Sequence, residues 1–352
     1  MKHEYKIAVV APLHKVPKQE WIDALNKATY GKADVIFVDD SPAQNLREAK
    51  ELGYAFSIYN RADAKKELGK KYTHFALFHK SSACRNFGNY MAWKLDYDII
   101  IGLDSDCNVP EDFIEKHIEG LLTEGYGWTN PIKWKGWYPR GYPYSERIRR
   151  VVANLGLWTN VLDINAKDRA SDEPTTPFQV ERYEIQQLVA ESFIPFSGMN
   201  WAMWREAMPG FIFLPNFNLK FGEEEYKFRR HDDIWGGYIF QKLMELRNER
   251  IAYGLPFVHH DTEIDVEADT EEEKAMIEFE NVFYTAVDAV VAQIQPGDYY
   301  DMMLQFSEIV SRDWIDTEWQ SFIEPIKWWA EIFLYEEKEQ KEEGADIQPT
   351  ED

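Results

Sequence analysis

The sequence predicts an α/β protein with a mostly parallel central sheet and a helical C-terminal extension. Three observations carry that expectation. Short apolar, β-branched runs alternate with helix-like stretches through the N-terminal third of the chain. Aspartates stand directly after two of those runs, at Asp39-Asp40 and Asp104-Ser105-Asp106. Beyond residue 262 apolar side chains recur at helical spacing.

Lys6–Leu13 (KIAVVAPL) has the pattern of a strand buried on both faces. A helix follows around Gln19–Ala28, then a second strand, Asp34–Val38, and a third at Tyr54–Tyr59. Ser82–Leu95 is helical and Asp98–Leu103 is again a buried strand. Right-handed crossovers put such strand ends on one edge, where ligands bind in these sheets. Gly125–Pro143, rich in Gly, Pro, Trp and Tyr, reads as an ordered loop over a cleft, with Trp134–Tyr144 as its lid. Ala166–Pro177 reads as a surface loop, and Phe193–Pro215 as an apolar stretch around Ser197-Gly198. A helix at Asp232–Leu246 precedes a last strand at Ile251–His259. Glu263–Glu273 is an acidic, solvated run, Glu272–Ile294 an amphipathic helix, and Trp314–Tyr335 an aromatic-rich one. We therefore expect a catalytic domain over 1–262, a helical subdomain over 263–335 and an acidic tail over 336–352, fraying and then disordered.

Composition narrows the function. With 62 acidic and 39 basic residues the formal charge is −23. Such a chain repels phosphate backbones and anionic lipid heads, so neither nucleic acid nor a membrane surface is expected as a partner. Two cysteines, Cys84 and Cys107, cannot build a disulfide framework, and no segment reaches transmembrane length. A soluble protein of the reducing cytoplasm is the expectation.

Chemistry concentrates in a few places. Asp104 and Asp106, one residue apart after the run DIIIGL, can hold a hard divalent cation that bridges protein to a diphosphate. An ordinary strand-to-loop turn uses the same residue types. Asp232 and Asp233 open a helix; they cap its free N–H groups or meet the hydroxyls of a ligand. Gly236-Gly237 lets backbone approach a ligand or a neighbouring helix. His259 and His260 end the last strand and point to opposite sides, so one of them at most reaches a metal; a satisfied core histidine is the plainer reading. Arg140, Arg147, Arg149 and Arg150 form the densest basic cluster, suited to a diphosphate or to surface carboxylates. Cys84 and Cys107 read as small core residues.

Eight segments together resemble the reversibly glycosylated polypeptides, the UDP-arabinopyranose mutases of glycosyltransferase family 75. They are Ile58–Asp63 (IYNRAD), Lys80–Gly88 (KSSACRNFG), Asp104–Cys107 (DSDC), Arg140–Arg147 (RGYPYSER), Gly156–Trp158 (GLW), Ser197–Asn200 (SGMN), Arg230–Gly237 (RHDDIWGG) and Gly254–His260 (GLPFVHH), in the family's order. Ile326–Glu331 is similar to the family's last helix. The resemblance implies a GT-A (Rossmann-like) glycosyltransferase fold, a UDP-sugar ligand, manganese or magnesium, reversible self-glycosylation and a homo-oligomer; the aromatic C-terminal helices offer a surface for burial against another subunit.

Carried over position by position, Asp104, Asp106 and His260 are implied as metal ligands. Asp40, Arg61, Asp63, Arg85, Asp104, Ser197, Gly198, Asn200 and Trp235 are implied as nucleotide-sugar contacts, and Arg140, Arg147, Asp232 and Asp233 as catalytic residues. Ser105 departs from the family's middle aspartate and removes one charge. Arg140 and Arg147 keep the family's spacing, but the neighbourhood reads Ser145-Glu146-Arg147-Ile148-Arg149. Arginine stays protonated at neutral pH and is a poor nucleophile, so clamping the diphosphate is the chemically conservative role for this pair. The implied activity is conversion of UDP-arabinopyranose to UDP-arabinofuranose. The rivals are transfer of the sugar to a separate acceptor, with Asp233 as base, and a self-glycosylated carrier.

Overall fold

The computed structural model describes residues 5–41, 56–76, 81–128, 130, 132, 136–171, 179–180, 188–190, 193–221 and 223–345. The run KIAVVAPL forms β1 (Ile7–Leu13), every residue of it buried. Alternation sends its side chains into two cores. Ala8 and Val10 pack on one face of the sheet, Ile7, Val9, Ala11 and Leu13 on the other. The second strand, β2 (Asp34–Asp39), splits the same way, with Ile36 and Val38 opposite Val35 and Phe37.

The strands β3 (Phe56–Asn60), β4 (Ile99–Leu103), β5 (Cys107–Asn108), β6 (Val151–Val161), β7 (Gln179–Val180), β8 (Leu188–Val189), β9 (Asn200–Trp204) and β12 (Arg250–His260) complete a sheet ordered β3-β2-β1-β4-β9-β6-β12-β5. A separate hairpin pairs β10 (Phe217–Phe221) with β11 (Glu224–Phe228). Of the seven long strands only β9 is reversed; β1 to β4, β6 and β12 all run the same way. The mostly parallel expectation therefore holds. Its consequence is that Asp40, Asp104, Asp163 and His260, with the start of β9, share one edge.

The helices are α1 (Gln19–Thr29), α2 (Arg61–Ala76), α3 (Arg85–Lys94), α4 (Phe113–Leu121), α5 (Ala166–Ser171), α6 (Asp232–Leu246), α7 (Val266–Val291), α8 (Tyr299–Asp313) and α9 (Gln320–Ala345). The periodicity beyond residue 262 resolves into three of these, α7 to α9. Their aromatics, Phe283, Trp314, Trp319, Trp329 and Phe333, are buried in the same core as Val10 of β1. The C-terminal segment thus closes one face of the sheet, and these rings are not available as a subunit surface. Helix α9 continues to Ala345, further than the fraying expected from its charge, while 346–352 lie outside the described residues.

Two other expectations change. The stretch read as a loop from Ala166 begins as helix α5, with Ala166 fully buried, because Glu273 accepts its N–H at 2.7 Å. The loop after Gly125 is ordered by Tyr142 and by Arg149, whose N–H donates to Gly125 O at 2.7 Å, and none of its described residues lines the cleft; 129, 131 and 133–135 lie outside the described residues. It leads into the start of β6, and Arg250 N–H bonds Arg150 O at 2.9 Å there, at the opposite edge of the sheet from Asp104.

Candidate functional site

A cleft of about 550 Å³ opens at the edge where the parallel strands end. Asp104 and Asp106 reach it from the turn after β4, His260 from the end of β12, Arg85 from the start of α3, Ser197 from the approach to β9, and Asp232 and Asp233 from the start of α6. A volume of that order suits a ligand the size of a nucleotide-sugar.

Arg85 is the hub. Its side chain is 7% exposed, donates from Nη1 to Gly198 O at 2.6 Å and pairs through Nη2 with Asp104. Burial alone would make it easier to deprotonate; Asp104, Asp232 and Asp233 outweigh that and hold its pKa up. Asp104 is itself pushed up to about 6, first by burial and then by Asp106, against the pull of Arg85. Burial also works against an ionised Asp106, but the interaction with His260 beside it prevails and holds its carboxyl below the usual range.

His260 Nδ1 lies 3.0 Å from Val161 O, an atom that can only accept. That nitrogen therefore carries the proton, and Nε2 points to Asp106 Oδ2 at 3.7 Å. This is how metal-ligating histidines are oriented. Among the described residues no three His, Cys, Asp or Glu side chains already form a metal cluster. The donor types nevertheless suit Mn²⁺ or Mg²⁺, with Asp106 and His260 facing each other and Asp104 beside them.

Asp233 accepts from Gly198 N–H at 2.7 Å and from Ile234 N–H at 2.8 Å. Burial, then the Asp232 charge, nonetheless pushes its pKa up to about 8. Because that value lies above its ordinary 3.8, unfolding releases the proton between the two. Asp233 therefore favours folding least at high pH: its contribution falls as pH rises from about 4 to about 8 and is level beyond. We expect isotope-edited infrared spectra to show a carboxylic-acid band at neutral pH that fades above pH 8. A band already lost at pH 5 would refute the assignment.

The chain matches the family model described as "Reversibly glycosylated polypeptide" over residues 4–330. It belongs to that family. A relative in Arabidopsis thaliana, "UDP-arabinopyranose mutase 2", is 29% identical over 244 residues, covering 64% of this chain. The matched region spans 63% of that relative's length. Among solved structures, 4-diphosphocytidyl-2C-methyl-D-erythritol synthase from Anaerococcus prevotii aligns with 78% of this chain and 99% of its own. At TM-score 0.33 and 10% identity that likeness carries no argument.

Within this family member the cleft brings together only part of the residue set read from the sequence. Asp104, Asp106, His260, Arg85, Ser197, Asp232 and Asp233 line it, and Gly198 links two of them by accepting from Arg85 and donating to Asp233. Asn200 lies under it, 1% exposed, joining Leu157 O, Pro256 O and His117. Trp235 is fully buried and stacks on Phe283 at 4.2 Å, so it is a core residue and not a sugar contact. Asp40 sits on the same edge near His14, but outside the cleft wall. Arg61 is exposed. Asp63 accepts Asn60 N–H at 2.9 Å while Asn60 accepts from Ala62 and Asp63, a reciprocal cap for α2. Lys80 and Trp134 lie outside the described residues.

Arg140 and Arg147 are the largest correction. Both stand in the loop before β6, and the seven strand residues Val151–Leu157 separate that end from Trp158, which lines the cleft, roughly 23 Å at 3.3 Å per residue. Neither reaches a ligand in the cleft of its own chain. The structure supplies other residues that the sequence did not mark. Ser197 Oγ donates to Asp163 Oδ2 at 2.9 Å. Arg230, with backbone φ of 50°, pairs with Asp269 at 2.6 Å and lies 3.6 Å from Glu273, while Arg169 stands 3.6 Å from Asp269. The only signal for Arg230 was its place at the head of RHDD; Asp163 follows a strand that sequence reading did not mark.

Proposed function

We propose that this chain is a nucleotide-sugar mutase that binds a UDP-linked pentose in the cleft and interchanges its pyranose and furanose rings. The observation that carries the reading is the convergence of Asp104, Asp106 and His260 with Arg85, Ser197, Asp232 and Asp233 in one cleft. Membership of the reversibly glycosylated polypeptide family supports it.

The ring exchange adds and removes no atoms. UDP leaves C1 with the bonding pair and later returns it. In between, the 4-oxygen replaces the 5-oxygen at C1, and one proton passes from the first oxygen to the second. Asp232 and Asp233 suit that proton transfer. Asp233, held protonated at neutral pH, can give a proton to the 5-oxygen, and Asp232, whose buried Oδ2 has no partner among the described residues, can accept one from the 4-hydroxyl. A protonated Asp233 also suits a general base poorly, which weighs against the transferase reading. Arg85 sets a buried positive charge beside the departing diphosphate. Trp158, Ile234 and Met276 are apolar walls that limit water. A divalent cation, Mn²⁺ or Mg²⁺, would be held by Asp104, Asp106 and His260 and would supply charge neutralisation at the diphosphate.

Incubation with a panel of UDP-sugars and Mn²⁺ tests the proposal. Pyranose–furanose exchange in the nucleotide pool is expected. Net UDP release dependent on an acceptor would instead establish a transferase, and stoichiometric protein labelling without exchange a carrier. Calorimetry that detects uptake of no UDP-sugar at saturating Mn²⁺ would end all three.

A further inference from the structure

We infer that three buried polar side chains, His117, Asn154 and Asn200, are positioning residues: they hold a bulge in β12 that sets His260 opposite Asp106. The inference rests on the proposed reading of Asp106 and His260 as a cation-holding pair. It adds a set of residues that act beneath the cleft, through His260.

The bulge shows in the register of two parallel strands. Gly254 of β12 stands beside Gly156 of β6, yet Val258 stands beside Trp158. Four steps along β12 therefore match two along β6. Beyond that point the pairing is regular again, with His259 beside Thr159 and His260 beside Asn160. Pairing without the bulge would set Val258 beside Asn160 and carry His260 two residues farther, roughly 7 Å past its place. The bulge thus takes up the excess length. It keeps His260 level with Cys107 of β5 and with Asp106, whose carbonyl accepts from Asp261 N–H at 2.9 Å. Two extra residues, an even number, also leave the alternation of side chains across the sheet unchanged.

A bulge takes main-chain carbonyls out of the ladder, and buried ones need other donors. Asn154 Nδ2 donates to Leu255 O at 2.9 Å. Asn200 Nδ2 donates to Pro256 O at 2.9 Å and to Leu157 O at 3.1 Å. Carbonyls only accept, so each amide has one orientation. Asn200 Oδ1 then faces His117 Nε2 at 2.9 Å, and that nitrogen carries the proton. His117 Nδ1, left bare, accepts from Asn154 Nδ2 at 3.0 Å. One imidazole fixes both amides.

Nothing in this set is shared with solvent. His117 and Asn154 are fully buried and Asn200 is 1% exposed. Burial also keeps the imidazole neutral, its pKa pushed down to about 3 against the hydrogen bond to Asn200. The neighbouring backbone leaves space for the amides. A Cβ at Gly156 would stand 2.2 Å from Asn200 Nδ2, and one at Gly120 would stand 2.2 Å from Asn154 Oδ1. A polar network satisfied in this way rigidifies what it touches and specifies one arrangement. Here it touches the three carbonyls that flank the bulge.

The imidazole reports on the network without any substitution. Nitrogen-15 NMR of wild type is expected to show His117 as the neutral Nε2–H tautomer from about pH 5 to about pH 8. A proton on Nδ1, or a charged ring in that range, would overturn the inference. His117→Phe keeps a ring of similar size and removes both hydrogen bonds. It is expected to weaken Mn²⁺ binding about tenfold by calorimetry and to speed amide exchange at Asp261. His117→Gln, which can still donate to Asn200, should recover most of that loss. In a His260→Ala background His117→Phe should weaken Mn²⁺ binding no further, because its effect passes through that histidine. Equal Mn²⁺ affinity of His117→Phe and wild type, or equal weakening with and without His260, would overturn the inference and leave the cation reading standing. Wild type that takes up no Mn²⁺ would remove the cation reading, and the inference with it.

Discussion

Asp106→Ala is expected to abolish manganese-stimulated binding of a UDP-sugar and to lower turnover about a hundredfold or more, while the protein melts within a few degrees of wild type. The binding loss follows from removing the carboxylate that faces His260 Nε2. The small stability effect follows from exposure: the Asp106 side chain is 42% exposed, so its pairing with His260 is worth about 1 kcal/mol or less. Asp104→Ala should behave differently. It also loses binding, but it leaves Arg85, 7% exposed, as a buried guanidinium without its carboxylate. Stranding one member of such a pair costs about 3–5 kcal/mol. Asp104 is itself strained by burial, and removing it relieves part of that, so the low end is expected. Paired calorimetry and thermal melts distinguish the two variants. An Asp106→Ala protein that binds as wild type would remove the cation site, and an Asp104→Ala protein with unchanged melting would show that Arg85 does not depend on it.

Gly236→Ala should be the most damaging single methyl in the protein. A Cβ there would stand 1.9 Å from the Ile212 carbonyl oxygen, and one at Gly237 would stand 2.1 Å from Phe196 Cβ. The Ile212 oxygen is main chain and cannot rotate away, so helix α6 would have to lift from the 211–214 segment. Overpacking costs about 1–3 kcal/mol, and a clash with rigid main chain places this one at the upper end. The lift would also displace Asp233 from Gly198 N–H and so loosen the cleft. Gly297→Ala is the control. Its Cβ meets Asp301 at an ordinary 3.4 Å, and a change within about 0.5 kcal/mol is expected. Chemical denaturation measures both; equal stability of the two variants would contradict the close approach. The double glycine is therefore a helix-packing device, one of the two roles open to it from sequence.

Charge, periodicity and strand-end aspartates were readable without coordinates because they are local. A buried parallel strand must be apolar on both sides, so KIAVVAPL and DIIIGL announce themselves, and the acids that follow them must fall on one edge. The helix over Asp232–Leu246 was legible to the residue for the same reason: its acidic first turn and apolar spacing are set within its own segment. Cys84 and Cys107, expected as core, are both fully buried. Family membership was legible too, since eight short motifs kept their order over nearly the whole chain.

Direction was not legible. Arg140 looks like a diphosphate clamp in one dimension, but the loop that holds it feeds the start of β6, and seven residues of that strand carry the chain away before Trp158 reaches the cleft. Trp235 lies within a motif yet turns inward, because helical spacing puts it on the face that α7 covers. Asp163, Asp269 and Glu273 reach the cleft from segments with no motif at all, across distances that only closure of α7 onto α5 removes. Patterns of one to four residues write themselves into sequence, whereas which ends of which strands meet is settled by how the packed layers close.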